Sequence, residues 1–172
     1  GIIPLDGLHV SRSLRKQILR GGFDIRIDTK FAEVVTACAD RDETWINDEI
    51  FSLYGELHQI GFAHSVEVWR DDALVGGLYG VRLGGAFFGE SMFSQIPNAS
   101  KFALVWLVAR MRAAGFALLD TQFLTEHLET MGGIEISRAA YRSRLGRALM
   151  INADWNALPD DTPAERVLAL VR

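Results

Sequence analysis

Residues 65–93, SVEVWRDDALVGGLYGVRLGGAFFGESMF, decide the fold class. Residues 65–70 read as a strand rich in β-branched and aromatic side chains. Asp71-Asp72 reads as a turn, and 74–81 as the partner strand. Leu83-Gly84-Gly85 is a second turn and 86–93 a third strand. Three strands joined by short turns form an antiparallel meander. Downstream, Asn98 caps a long helix over 99–114 that Gly115 ends. Residues 116–123 read as an apolar strand with Asp120 and Gln122 set in it. Thr125 opens a short helix closed by Gly132, 134–136 is a short strand, and Ser137 caps a helix over 138–150. The tail is acidic around Asp154, Asp160 and Asp161, with a helix over 163–171. Upstream, Ser11 caps a basic helix on which Arg12, Arg15 and Lys16 share a face. Residues 23–27 form a strand. Asp28 or Thr29 caps a helix through Phe31, Val34, Val35 and Cys38. Thr44 or Asn47 opens another, which carries Ile46, Ile50, Leu53, Tyr54 and Leu57 and closes at Gly61. The order predicts an α+β fold, a mixed and mostly antiparallel sheet with helices on its faces.

The 172 residues amount to one domain, with 49% hydrophobic and 23% charged residues, so disorder is excluded. A single cysteine excludes a disulfide scaffold and fits a reducing cytoplasm. No apolar run approaches the ~20 residues that span a bilayer, and no signal peptide is visible. A net charge of −4 argues against a general nucleic-acid binder unless a local basic patch overrides it. The histidines are scattered without metal-ligand spacing. Gly76-Gly77, Gly80 and Gly84-Gly85 mark turns or close backbone approaches and match no phosphate-binding fingerprint.

Two clusters hold chemistry. Glu90 lies in the middle of the apolar strand 87–93. Asp120 and Gln122, two apart, are expected on one face of their strand. Charge in such strands is costly unless paired or useful. A lone strand Glu is more often an ion-paired or edge residue; two polar groups on one face are less readily structural. Trp45 near a helix start is by default a packing residue, and the Arg12, Arg15, Lys16 face a solvated surface.

Acyltransferases of the N-acetyltransferase type share the predicted architecture. Such enzymes hold the coenzyme A pyrophosphate on backbone N–H groups of a Gly-rich turn that opens a helix. Here that turn is 94–98, SQIPN, without glycine, so no cofactor is expected.

HVSRS at 9–13, TWI at 44–46, HSVEVW at 64–69, LVGGLYGV at 74–81, FFGESMFS at 87–94, NASK at 98–101 and LLDTQFLTEHLETMG at 118–132 together resemble the leucyl/phenylalanyl-tRNA–protein transferases. The resemblance covers about one domain, residues 1–145. It implies an N-acetyltransferase-like (GNAT-like) domain over 23–150, with 1–22 the remnant of an N-terminal region and 151–172 a C-terminal tail. It implies transfer of Leu or Phe, Met less well, from aminoacyl-tRNA to the N-terminal Arg or Lys of acceptor proteins, marking them for degradation. By the same resemblance Asp120 and Gln122 are the catalytic pair and Glu90 meets the acceptor's cation. Leu78, Phe87, Leu104, Leu107 and Leu119 wall the donor pocket, Trp45 stacks on the terminal adenosine, and Arg12, Arg15 and Lys16 touch the tRNA backbone. A cytoplasmic monomer without membrane contact is expected. Two alternatives stay open, an acyl-CoA-dependent N-acyltransferase and a non-catalytic peptide- or RNA-binding relative.

Overall fold

Asp71 and Asp72 both take left-handed φ angles, 49° and 61°. Short polar side chains tolerate that conformation, and it gives a hairpin turn whose twist matches its strands. The turn joins β3 (Ala63–Arg70) to β4 (Ala73–Leu83), and Gly84, with φ 56°, leads β4 into β5 (Ala86–Ser94). The structure, a computed structural model, describes residues 1–40 and 47–172. Around the meander lie β1 (Ile2–Ile3), β2 (Asp24–Ile27) and β6 (Leu118–Asp120), in the sheet order β1-β6-β5-β4-β3-β2. Every pairing is antiparallel except β5 with β6. The mixed, mostly antiparallel sheet is the one expected.

The helices are α1 (Arg12–Arg20), α2 (Phe31–Ala39), α3 (Asp48–Gln59), α4 (Ala99–Ala114), α5 (Glu126–Glu129), α6 (Arg138–Leu149) and α7 (Ala164–Leu170). Helix α4 is the spine of the main core. Its residues 102–109 are all buried against Val66, Val68, Leu78 and Leu119 of the sheet. Leu14 and Ile18 of α1 and Val167 and Leu168 of α7 close over it. The first residue of α4 packs so tightly on β4 that a Cβ at Gly76 would overlap that of Ala99. On the other face, α2 sets Phe31, Val34, Val35 and Cys38 against Ala63 and Tyr79. There too α6 sets Tyr141, Leu145 and Ala148 against Leu118 and Ala86.

Residues 151–172 belong to the main core. Trp155, Leu158 and Val171 are buried in it. Arg110, 3% exposed on α4, donates to the Trp155 carbonyl at 2.7 Å and pairs with Asp160.

Several local expectations are corrected. Strand β6 covers 118–120 rather than 116–123, and 134–136 forms only an isolated bridge from Ile134 to Ile2. Helix α2 is capped by Lys30 without a side-chain bond, because Asp28 and Thr29 are committed elsewhere. The Asp28 carboxylate faces His64 Nδ1 at 2.7 Å and accepts the Ser65 N–H at 2.8 Å, while the Thr29 hydroxyl donates to Glu67. Asn98 sits before α4 with φ 67° but makes no cap bond; its amide donates to Gln17 at 3.0 Å, and Ser94 Oγ accepts the Ser100 N–H instead.

Glu67 is fully buried in β3 and supplied with donors on both oxygens. It accepts from Lys30 N–H at 2.7 Å, Ser65 Oγ at 2.9 Å and Trp69 Nε1 at 3.1 Å, besides Thr29. Removing the acceptor strands buried donors, each costing about 1–3 kcal/mol. Glu67→Ala is expected to lose about 3 kcal/mol or more, read as a lower urea midpoint at unchanged slope. A loss below about 1 kcal/mol would contradict this role.

Candidate active site

Strand β5 outruns its neighbour. Parallel pairing ties Ala86, Phe87 and Phe88 to Leu118, Leu119 and Asp120 and then stops, while β5 continues to Ser94. A cavity of about 740 Å³ occupies the gap. Leu78 of β4, Leu104 and Leu107 of α4, and Leu119 of β6 line it, as do Met92 and Phe93. The structure thus brings together four of the five apolar wall residues expected from the resemblance. Phe87 is not among them. Strand alternation turns it to the correct face, but the tail covers it: Phe87 is fully buried and stacked on Trp155 with ring centroids 5.6 Å apart.

One end of the cavity is polar. Ser94 Oγ and Ser100 Oγ lie 3.0 Å apart, and His127 Nε2 is 3.5 Å from Ser100 Oγ. Burial, and then the nearby Lys101 charge, hold the His127 pKa below the ordinary imidazole value. The His127 ring therefore stays neutral at neutral pH.

The other end opens at Glu90 and Gln122, where Gln122 Nε2 donates to Glu90 Oε2 at 3.0 Å. Both also line a second cavity, about 450 Å³, walled by Leu53, Tyr54 and Leu57 of α3 with Val81 and Phe88. Tyr54 hydrogen-bonds Glu90. Burial first, then the Glu90 charge and that bond, raise the Tyr54 pKa. Among the described residues Glu90 forms no ion pair with a basic side chain.

The expectation that a single strand carries both Asp120 and Gln122 is corrected. Strand β6 ends at Asp120, and Gln122 lies beyond it at φ 60°, exposed. Leu119 and Thr121 point into the large cavity. Asp120, between them, is 8% exposed and turns toward α6, where its carboxylate accepts the Tyr141 hydroxyl. Its other oxygen accepts the backbone N–H of Gln122 at 2.7 Å. The strand stops because this carboxylate captures the amide two residues on, the local bond that makes aspartate a turn former. Asp120 thus bends the chain that aims Gln122 at Glu90. Burial first, then the bond to Asp120 and its charge, push the Tyr141 pKa up to about 12, so the phenol remains a donor at neutral pH.

Of the basic trio on α1, Arg12 and Lys16 are exposed and Arg15 half-buried, while Leu14 and Ile18 anchor the helix. The Gln17–Asn98 bond ties α1 to the end of α4 that carries Ser100. Trp45 and Ile46 lie outside the described residues. Tyr54, Ser100, His127 and Tyr141 were not singled out by sequence reasoning. His127 stands in the distinctive stretch LTEH, which was a usable signal. Tyr141 had none, since its partner lies 21 positions away.

Among the described residues, no group of His, Cys, Asp or Glu could hold a metal ion, and no helix is long and apolar enough to cross a membrane. The arrangement can receive a cation at Glu90, an apolar side chain among the leucines, and a carbonyl or amine at the Gln122 amide.

The profile of the leucyl/phenylalanyl-tRNA protein transferase family matches residues 2–146. A protein of that name from Ruegeria sp. is 64% identical over 149 residues, which is 87% of this chain and 71% of that protein. One from Roseobacter denitrificans is 61% identical over 167 residues, 97% of this chain and 80% of that protein. One from Maricaulis maris is 56% identical over 98% of this chain and 80% of its own length. Weaker likenesses extend to solved structures. A ribosomal-protein-alanine N-acetyltransferase from Brucella melitensis is 14% identical with a TM-score of 0.49, covering 67% of this chain and 95% of that one. An aminoglycoside acetyltransferase from a soil metagenome is 12% identical with a TM-score of 0.47, covering 77% of this chain and 90% of that one.

Proposed function

The chain belongs to the leucyl/phenylalanyl-tRNA protein transferase family, and on that premise we propose that it moves Leu or Phe from aminoacyl-tRNA to an N-terminal Arg or Lys of an acceptor protein, marking that protein for degradation. The observation that carries this reading is the Glu90–Gln122 pair standing where two apolar cavities meet. Such a junction suits a reaction that joins two substrates.

The donor is an ester, and the nucleophile an α-amine with pKa near ~8, partly neutral at cellular pH. Its nitrogen attacks the ester carbonyl. A C–N bond forms, the C–O bond to the ribose breaks, and the proton lost by nitrogen ends on the ribose hydroxyl. An activated ester needs chiefly alignment. The donor side chain takes the large cavity against Leu78, Leu104, Leu107 and Leu119. A wall of this kind discriminates by only ~1–3 kcal/mol per methylene, which favours Leu and Phe and tolerates Met. Gln122 orients the reacting carbonyl and amine. Glu90 meets the acceptor's guanidinium or ammonium in a charge-assisted bond. Asp120 holds the turn that presents Gln122, a positioning role supported by its two hydrogen bonds and its absence from the lining of both cavities. Trp45 is retained as a stacking surface for the terminal adenosine. Arg12, Arg15 and Lys16 are retained as backbone contacts, a local basic patch on an acidic monomer of the cytoplasm.

The test is transfer of radiolabelled leucine from charged tRNA to a peptide beginning with Arg. The account predicts label on the free peptide and none on its acetylated form. Equal labelling of both, or labelling only from acyl-CoA, would overturn it.

A further inference from the structure

Helix α6 runs against the direction of β5 and β6. Its last turn meets the start of β5, where the Gly85 N–H donates to the Ala148 carbonyl at 2.7 Å. Its first half lies at the end of β6, where Tyr141 reaches Asp120. Tyr141, Leu145 and Ala148 face the sheet. Arg138 and Arg142, four residues apart, share the face turned to solvent, and both are exposed. Neither forms an ion pair among the described residues. Arg144 and Arg147 lie toward the far end of the helix, and Arg144 borders a separate recess with Asp6 and Arg112.

Two guanidinium groups one turn apart, without an ion pair among the described residues and at the catalytic end of an acidic chain, match a phosphodiester backbone in charge and in donor geometry. The large cavity fixes where the donor's reacting end lies, and α6 flanks that end on the sheet face opposite α1. We propose that Arg138 and Arg142 hold phosphates of the RNA donor near its 3′ end, a second backbone contact besides the α1 face. This rests on the proposed transfer reaction, because that reaction brings the RNA to the site. Such contacts position the strand without reading its bases.

The test compares tRNA binding by the parent chain, by the double variant Arg138→Glu/Arg142→Glu and by Arg138→Lys/Arg142→Lys across a salt series. Each lost phosphate contact removes about 0.7–0.9 from the slope of log affinity against log salt. The Glu variant is expected to bind about tenfold or more weakly at low salt, with a slope shallower by about 1.5, and the Lys variant to keep the parent slope. The Glu variant is also expected to transfer leucine from 3′-leucyl-adenosine, which lacks the RNA body, at the parent rate. A parent-like salt slope overturns the contact. So does an equal loss with both donors, which places the arginines in the chemistry or the fold. A changed KM for acidic acceptor proteins with tRNA affinity intact also overturns it, in favour of a protein-facing surface. A shallower slope in a chain that binds tRNA yet transfers nothing would support the contact while removing the transfer reading.

Discussion

Asp120→Ala is expected to lower turnover about a hundredfold while the chain stays folded, because misplacing a reacting group by about 1 Å costs that much. The substitution removes the acceptor of the Gln122 N–H and so loosens the turn over residues 120–122, leaving the Gly1 amine on the Gln122 carbonyl as the remaining backbone tie. The loss should fall on kcat rather than on the KM of either substrate, since Asp120 lines neither cavity. Asp120→Asn keeps one carbonyl acceptor and should retain more activity. Tyr141→Phe removes only a donor to the far oxygen, so its effect should be the smallest of the three. Full turnover in Asp120→Ala would contradict the positioning role. A pure rise in acceptor KM would place the carboxylate against the substrate instead.

The second large effect belongs to Glu90. Glu90→Gln keeps the volume beside Tyr54 and Gln122 but removes the charge. A hydrogen bond to a charged group contributes about 1.5–3 kcal/mol, or about 10- to 150-fold in KM for an acceptor beginning with Arg or Lys. Donor KM should not move. An equal rise for donor and acceptor would mean that Glu90 serves only the architecture of the junction.

The parts of the fold governed by local chemistry were legible in the sequence. The Asp71-Asp72 turn, the caps at Ser11, Asn47, Thr125 and Ser137, and the Gly115 stop all act within a few residues, and each stands where its side chain or φ angle requires. Features fixed by distant partners were not. Two isoleucines at Ile2–Ile3 become a strand because β6 lies beside them on one edge and Ile134 on the other. Asp28 and Thr29 look like helix caps until β3 claims both side chains. Phe87 reads as a pocket wall until Trp155, from a tail without a recognisable motif, stacks on it.

The site divides along the same line. Glu90, Gln122 and the leucines were visible as residue types out of keeping with their strand, or matched to a family pattern. Their relation was not visible. Strand periodicity carries β6 through 122, and the strand instead stops where an aspartate carboxylate binds the amide two residues ahead. A helix 21 residues downstream then supplies the second bond that fixes that carboxylate.

The most direct measurement is a structure of the chain with 3′-leucylamido-adenosine, in which an amide replaces the reactive ester. The account predicts the leucine side chain against Leu104, Leu107 and Leu119, with its carbonyl within hydrogen-bond reach of the Gln122 amide. A leucine seated in the smaller cavity beside α3, or a carbonyl turned away from Gln122, would contradict it.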